Sequence, residues 1–296
     1  MEKTCIILVG PTASGKTALA IEIAQHFNTE IVSADSRQCF KELNIGVAKP
    51  SELQLNTVRH HFINSHNIEE NISAAGFERY ALDAVEEIFK NNNVAVMCGG
   101  TGLYIRAFTD GLDEIAPTDS FIKNDINRAY EQNGLEWLQN KIKKTDPLFW
   151  AKGETNNPHR LLRALEVFMT TGISIVSQQK KIKKQRSFNI IKVGIEIDRH
   201  VLYDRINSRV DLMHAEGLEQ EAKLLLPFKH LNALQTVGYR ELFDFFEGVN
   251  YREKAFELIK QNSRHYAKRQ LTWFKKDEEI VWLQQGEVLA YLKNKL

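Results

Sequence analysis

The segment with the clearest chemistry runs Gly10-Pro-Thr-Ala-Ser-Gly15-Lys16-Thr17 and fits G-x-x-x-x-G-K-[ST]. It follows an apolar run, Thr4 to Val9, and opens an amphipathic stretch beginning at Lys16. In that setting the glycines let backbone N–H groups turn inward on an anion, and the helix N-terminus adds partial positive charge. Lys16 supplies a full charge, and the Thr17 hydroxyl is placed to ligate Mg²⁺. The motif does not name the compound, because any diphosphate satisfies the same donors.

Two further signals fall at the carboxyl ends of expected strands, where ligands bind in parallel sheets. Asp35 follows the apolar run Glu30 to Ser33. Its carboxylate suits a general base or a partner of Mg²⁺, and it suits a helix N-cap equally well. Gly99-Gly-Thr-Gly102 follows Val94–Cys98 and offers the Thr101 hydroxyl at close backbone approach, or simply a tight turn. His60 and His61 do not read as a metal pair, since neighbours on a strand point apart and no third ligand is suitably spaced. Cys98 reads as a small core residue, and Trp137, Trp150, Trp273 and Trp282 read as packing.

These groups need a scaffold, and the sequence patterning supplies one. Short apolar runs alternate with amphipathic stretches through the first hundred residues, in the order β-α-β-α-β expected of a parallel sheet. Asn44 to Asn71 reads as polar loop. Ser73 can cap a helix whose apolar face carries Phe77, Tyr80, Ala81, Ala84, Val85, Ile88 and Phe89. From Pro117 to Gly172 only helix signals occur, among them Thr118 or Asp119 as a cap, Asp146-Pro147, and Asn157-Pro158 with proline in the first helical turn. Strand patterning returns at Asn189–Ile197, followed by helices after Asp198 and from Tyr251 to Phe274, and by a strand at Ile280–Leu283. The expected fold class is α/β, a P-loop NTPase-like parallel sheet flanked by helices with an all-helical insertion. The domains fall at 1–112 with 188–296 for the core, and 113–187 for the insertion.

Composition narrows the class of function. The 296 residues carry 39 basic and 38 acidic side chains, a net charge of +1. That excludes a polycation but not a local basic face. Between Lys141 and Arg186 lie eleven basic residues against three acidic ones, Asp146, Glu154 and Glu166. Such an imbalance suits a polyanion, although a run such as Lys180–Arg186 also suits a solvated linker. No apolar run is long enough to span a membrane, Cys5–Val9 is too short for a signal segment, and three scattered cysteines suit a reducing cytoplasm.

Further blocks extend the pattern: Asp35-Ser-Arg-Gln38, Asn44-Ile-Gly-Val-Ala-Lys-Pro50, His60-His61-Phe62 and Gly99–Tyr104, then Asn157–Val167, Gln235–Arg240 and Tyr266–Trp273. With the P-loop, these blocks resemble, in order and over nearly the whole chain, the tRNA dimethylallyltransferase (tRNA isopentenyltransferase) family. The resemblance implies transfer of a dimethylallyl group from dimethylallyl diphosphate to N6 of adenine 37, in tRNAs reading codons that begin with U. It implies Mg²⁺ as cofactor, the tRNA anticodon stem-loop as partner, a monomer, and no obligate protein partner. Gly10, Pro11, Thr12, Ala13, Ser14, Gly15, Lys16 and Thr17 would then hold the diphosphate. Asp35 would be the general base, with Thr101, Lys16 and Lys123 completing the catalytic set.

The same resemblance assigns tRNA contacts to Asp35, Ser36, Arg37, Gln38, Thr101, Lys123, His159, Arg160, Leu161, Leu162 and Arg163. Gln235, Thr236, Val237, Gly238, Tyr239 and Arg240 join them. Lys123 stands where the family has arginine and so lacks bidentate geometry; Phe40 and Val47 also depart from the pattern. The C-terminal helix, with Arg264, Lys268 and Lys275 on one face, reads as a supporting basic surface. The alternatives are a small-molecule P-loop kinase, with Asp35 activating an alcohol, and a non-catalytic RNA-binding module.

Overall fold

A computed structural model describes residues 2–180 and 182–296. The chain divides into two compact units, Met1–Thr109 with Gln185–Leu296, and Asp110–Lys184. The insertion therefore begins and ends three residues earlier than the sequence pattern suggests.

The larger unit is built on six parallel strands in the order β3-β2-β4-β1-β5-β6. In chain order its first half runs β1 (Thr4–Val9), α1 (Lys16–His26), β2 (Ile31–Ser33), α2 (Glu52–Thr57), β3 (His60–His61), α3 (Ala74–Asn91), β4 (Val94–Gly99) and α4 (Gly102–Asp110). The insertion contributes α5 (Ser120–Thr145), α6 (Pro147–Lys152), α7 (Pro158–Thr171) and α8 (Ile175–Gln178). The chain then re-enters the sheet as β5 (Asn189–Ile195). It continues through α9 (Arg199–Ala215), α10 (Leu218–Leu225), α11 (Tyr239–Phe246), α12 (Arg252–Phe274), β6 (Ile280–Leu283) and α13 (Gln285–Lys295).

Strand β1 is buried along its whole length because helices cover both faces of the sheet. Cys5, Ile7 and Val9 point into a core shared with α3, α4 and the helices α10 to α12. Ile6 and Leu8 point the other way, against α1 and α13. The apolar face of α3 buries Phe77, Val85 and Ile88, each worth on the order of 2 kcal/mol. Ser73 caps that helix by accepting from the Gly76 N–H at 3.0 Å.

Within 44–71 the structure adds α2 and the two-residue strand β3 to what the sequence presents as loop. α2 is nucleated by a reciprocal capping box between Ser51 and Gln54, but buries no residue, so it leaves no hydrophobic period to read. The histidines of β3 each have a partner: His60 Nδ1 lies 2.7 Å from the Val58 carbonyl and His61 Nε2 lies 2.6 Å from Glu30.

The insertion is helical throughout its described residues and has its own core of Ile126, Leu138, Ile142, Phe149, Leu161 and Leu165. Asp119, Asp146 and Asn157 cap its helices as their spacing predicts. Gly134 breaks α5 with a φ of 73°. Arg186 fixes the return to the larger unit. Its guanidinium donates to the Phe108 and Ala107 carbonyls and pairs with Glu78 at 2.9 Å. This charge, the last of the basic run, is therefore taken up by the scaffold. Among the described residues no helix is long and apolar enough to cross a membrane.

Candidate active site

The loop between β1 and α1 adopts a strained, anion-ready shape. Ala13 sits at φ 63° and Gly15 at φ 91°, the left-handed region that a side-chain-bearing residue such as Ala13 rarely occupies. Lys16 Nζ folds back onto the Pro11 carbonyl at 2.6 Å. Burial lowers its pKa to about 8; the nearby Arg209 guanidinium pushes the same way, and Asp35 opposes. Ser14 Oγ is buried and, among the described residues, has no hydrogen-bond partner, which marks a position for an incoming oxygen.

The carboxyl ends of β2 and β4 close against this loop. The Thr101 N–H donates to the Ala34 carbonyl at 3.1 Å, and the Ser36 N–H donates to Thr101 Oγ1 at 3.1 Å. Tyr266 is held protonated, with its pKa raised first by burial and then by the charge of Asp35. A Cβ on Gly99 would stand 2.2 Å from the Ala34 carbonyl oxygen, so only glycine permits this approach.

Asp35 serves two purposes. Its Oδ1 accepts from the Arg37 and Gln38 N–H groups at 2.9 and 3.3 Å, the capping geometry the sequence allowed. What it caps is a run of turns and not an α-helix. Among the described residues Oδ2 has no hydrogen-bond partner, and Asp35 lines two cavities. Ser36 and Arg37 line the first of these cavities, and Gln38 the second. Gln38 Nε2 donates to the Val47 and Ala48 carbonyls, tying this turn to the loop 44–50. Arg37 donates to Asn232 Oδ1 at 3.2 Å; burial lowers its pKa and Asp35 counteracts this.

The two cavities, of about 590 and 770 Å³, meet here. The second is lined by residues 12–18 of the phosphate loop, the first by 235–238 and Arg240. Thr12, Ala13, Asp35, Arg209 and Tyr266 line both, so they stand where the two meet. A donor entering from the loop side and an acceptor from the other would come together beside Asp35.

Sequence reasoning missed Arg209, and it covered Gln270 only as part of the Tyr266–Trp273 block, with no role. Arg209 on α9 donates to Thr12 Oγ1 at 3.2 Å, and burial lowers its pKa. Gln270 on α12 accepts from the Thr12 N–H and donates to the Gly100 carbonyl. The helix expected to be only a basic surface thus supports the site with its buried face. Arg264, one of the three cations expected on that surface, donates to Asn207 of α9.

Of the expected tRNA-contacting residues, some are exposed, most are half-buried, and Leu161, Gly238 and Tyr239 are buried. Gln235 and Arg240 are exposed; Thr236 and Val237 are half-buried. Tyr239 is fully buried, and its hydroxyl donates to Glu221 at 2.6 Å. The same carboxylate holds the Ile45 and Gly46 N–H groups, so Tyr239 braces the loop 44–50 and its side chain cannot reach RNA. The Gly238 N–H is spent on Glu241. In the insertion, His159 and Arg160 are exposed, and Arg160 pairs with Glu154. Arg163 donates to Thr118, and Leu162 is half-buried. Leu161 lies in the insertion's core, so its side chain corrects to packing. Lys123 is exposed on α5, with its charge felt by Glu166.

Among the described residues no group of three His, Cys, Asp or Glu side chains could cage a metal. The donors that fit one are the hard oxygens of the Thr17 hydroxyl and of a bound diphosphate, next to the orphaned Ser14 Oγ.

Fold and site together define an α/β protein with a glycine–lysine loop after its first strand and a carboxylate where two cavities join. Comparison with known proteins gives its family. The profile described as IPP transferase matches residues 38–277. The chain is similar to the tRNA dimethylallyltransferase of Christiangramia forsetii, 47% identical over 300 residues, covering 100% of this chain and 99% of that one. The enzyme of the same description from Cytophaga hutchinsonii is 45% identical over 97% of this chain and 95% of its own. Among solved structures, the full-length tRNA isopentenylpyrophosphate transferase of Bacillus halodurans gives a TM-score of 0.72 at 34% identity, covering 100% and 97% of the two chains. A eukaryotic dimethylallyltransferase acting on tRNA gives 0.78 at 25% identity, over 96% and 74%. The chain belongs to the IPP transferase family. Enzymes of this family use a divalent metal, and membership sets aside the kinase reading.

Proposed function

We propose that this enzyme transfers a dimethylallyl group from dimethylallyl diphosphate to the exocyclic N6 of adenine 37 in tRNAs reading codons that begin with U. The observation that carries the reading is the meeting of a diphosphate cradle and an available carboxylate oxygen where two cavities join. In the reaction, N6 attacks the allylic C1, the C1–O bond breaks, and diphosphate leaves with the electron pair. The N6 proton passes to Asp35.

Each group present has a task in that step. The phosphate loop and Lys16 stabilise charge as it grows on the bridging oxygen, and the Arg209 guanidinium adds a second cation beside Thr12. Asp35 activates an amine whose lone pair is delocalised into the purine, a contribution of about 10²–10⁴-fold. Oδ1, held by two N–H groups, keeps the carboxylate oriented while Oδ2 takes the proton. The Tyr266 phenol lines both cavities beside Asp35. Mg²⁺, bound through Thr17 and diphosphate oxygens, would neutralise leaving-group charge. The insertion, with its exposed Lys123, Lys141, Lys143 and Lys144, would meet the tRNA backbone. Flipping an anticodon-loop base costs only a few kcal/mol because it is already unpaired. The cytoplasm, where tRNA is found, is the expected location.

The test is incubation with labelled dimethylallyl diphosphate, Mg²⁺ and bulk tRNA, followed by nucleoside analysis. Label should appear as N6-(dimethylallyl)adenosine. Label absent from tRNA, or ATP accepted in place of the prenyl donor, would overturn the proposal.

A further inference from the structure

Three glycines at the junction of β4 and α4 give way to three neighbours. A Cβ on Gly99 would strike Ala34, one on Gly102 would strike the Trp273 indole at 2.2 Å, and one on Gly100 would stand 2.1 Å from Gln270 Nε2. Gln270 and Trp273 belong to α12, as does Tyr266, and positions i, i+4 and i+7 share one helical face. One helix face is thus keyed into the carboxyl end of the sheet. Of the three side chains, only Gln270 also reaches the phosphate loop. Its Oε1 accepts from the Thr12 N–H at 2.8 Å and its Nε2 donates to the Gly100 carbonyl at 3.0 Å, with the residue only 6% exposed.

The two bonds are a donor–acceptor pair that no charged side chain can copy. Thr12 belongs to the diphosphate cradle; Gly100 lines the same cavity and precedes Thr101, whose hydroxyl accepts from the Ser36 N–H next to Asp35. The bridge sets how the cradle lies relative to Asp35, and a misplacement of about 1 Å can cost a hundredfold in rate. We propose that Gln270 is a positioning residue for the transfer step, holding the phosphate loop in register with the Gly99–Gly102 turn and, through it, with Asp35. The proposal rests on the reading of the loop as the cradle of the prenyl donor.

Protonation offers a test that a merely structural role would not pass. In Gln270→Glu, the ionised carboxylate still accepts from Thr12 but meets the Gly100 carbonyl with no hydrogen to give. The protonated acid restores both bonds. A buried glutamate titrates above its usual range, so the variant should recover as pH falls. Lys16, Asp35, Cys98, Arg209 and Tyr266 line the same cavity but are common to both proteins, so they largely cancel in a ratio. At saturating tRNA, kcat of Gln270→Glu relative to wild type should rise about tenfold between pH 7.5 and 6. Gln270→Met, of similar volume, should lower kcat by about tenfold to a hundredfold at every pH, with tRNA affinity kept within about twofold.

A flat ratio for the glutamate variant, or wild-type turnover in the methionine variant, would overturn the proposal. Parallel loss of tRNA affinity and kcat in both would assign Gln270 to folding and overturn it too. A wild-type enzyme that transfers no dimethylallyl group would defeat instead the reading on which the proposal rests.

Discussion

Lys16 gives the site a pH dependence whose sign can be worked out. Burial places its pKa at about 8, against an ordinary lysine value of 10.5. At pH 9 a group with that pKa is about one-tenth protonated, whereas an unperturbed lysine would remain nearly fully charged. The donor's phosphates stay ionised throughout this window, so the change belongs to the enzyme. The expected outcome is that kcat/KM for dimethylallyl diphosphate is level below pH 7.5 and falls about tenfold by pH 9. Lys16→Arg should be weaker at neutral pH but should lose this alkaline limb, because the guanidinium stays charged.

Stability should move the opposite way over the same range. Between about 8 and 10.5 the folded chain has lost the Lys16 proton while the unfolded chain keeps it, so unfolding free energy rises with pH across that window. The assay is initial-rate kinetics at limiting donor and saturating tRNA, with thermal unfolding measured in the same buffers. A profile level from pH 7.5 to 9.5, or an equal fall in Lys16→Arg, would refute the reasoning.

Three further outcomes are expected. Arg186→Ala removes a largely buried guanidinium with its ion pair and two carbonyl bonds, and should cost about 3–5 kcal/mol, read as a lower denaturant midpoint; an unchanged midpoint would count against the anchoring role. Gly100→Ala should depress turnover by displacing Gln270 Nε2, and combining it with Gln270→Met should cost little more than either alone; additive losses would deny the shared mechanism. Replacing Lys141, Lys143 and Lys144 with glutamine should weaken tRNA binding and lower its salt slope by about 0.7 for each phosphate no longer neutralised; an unaltered slope would leave that face as ordinary solvated surface.

Much of the scaffold is readable in the chain because its signals are local. β1 and β4 are continuous apolar runs, α3 carries a clear stripe, and the insertion's caps place a side-chain oxygen before each helix. The phosphate loop is readable for the same reason: strand, glycine turn and helix start all fall between Thr4 and Thr17. Hydrogen bonds between distant segments are not readable in this way. Gln270 lies 258 residues from Thr12 and Arg209 lies 197 from it, so no spacing rule joins them. Tyr239 shows the converse limit: an aromatic inside a functional block suggests an RNA-facing residue, yet burial turns its hydroxyl to Glu221. The exposed cations of α12 are conspicuous in the sequence, whereas its buried polar residue is a single glutamine, so the supporting role of that helix stays hidden until the chain is folded.

In the proposed reaction a cradle for the departing diphosphate works beside a carboxylate that takes the amine proton. Single-turnover transfer of labelled dimethylallyl to a tRNA transcript, compared between wild type and Asp35→Ala with tRNA affinity measured alongside, tests this pairing most directly. The expected result is label at adenine N6 with wild type, a rate lower by about 10²–10⁴-fold in Asp35→Ala, and nearly equal tRNA affinity. Equal rates, or loss of rate matched by loss of tRNA binding, would contradict it.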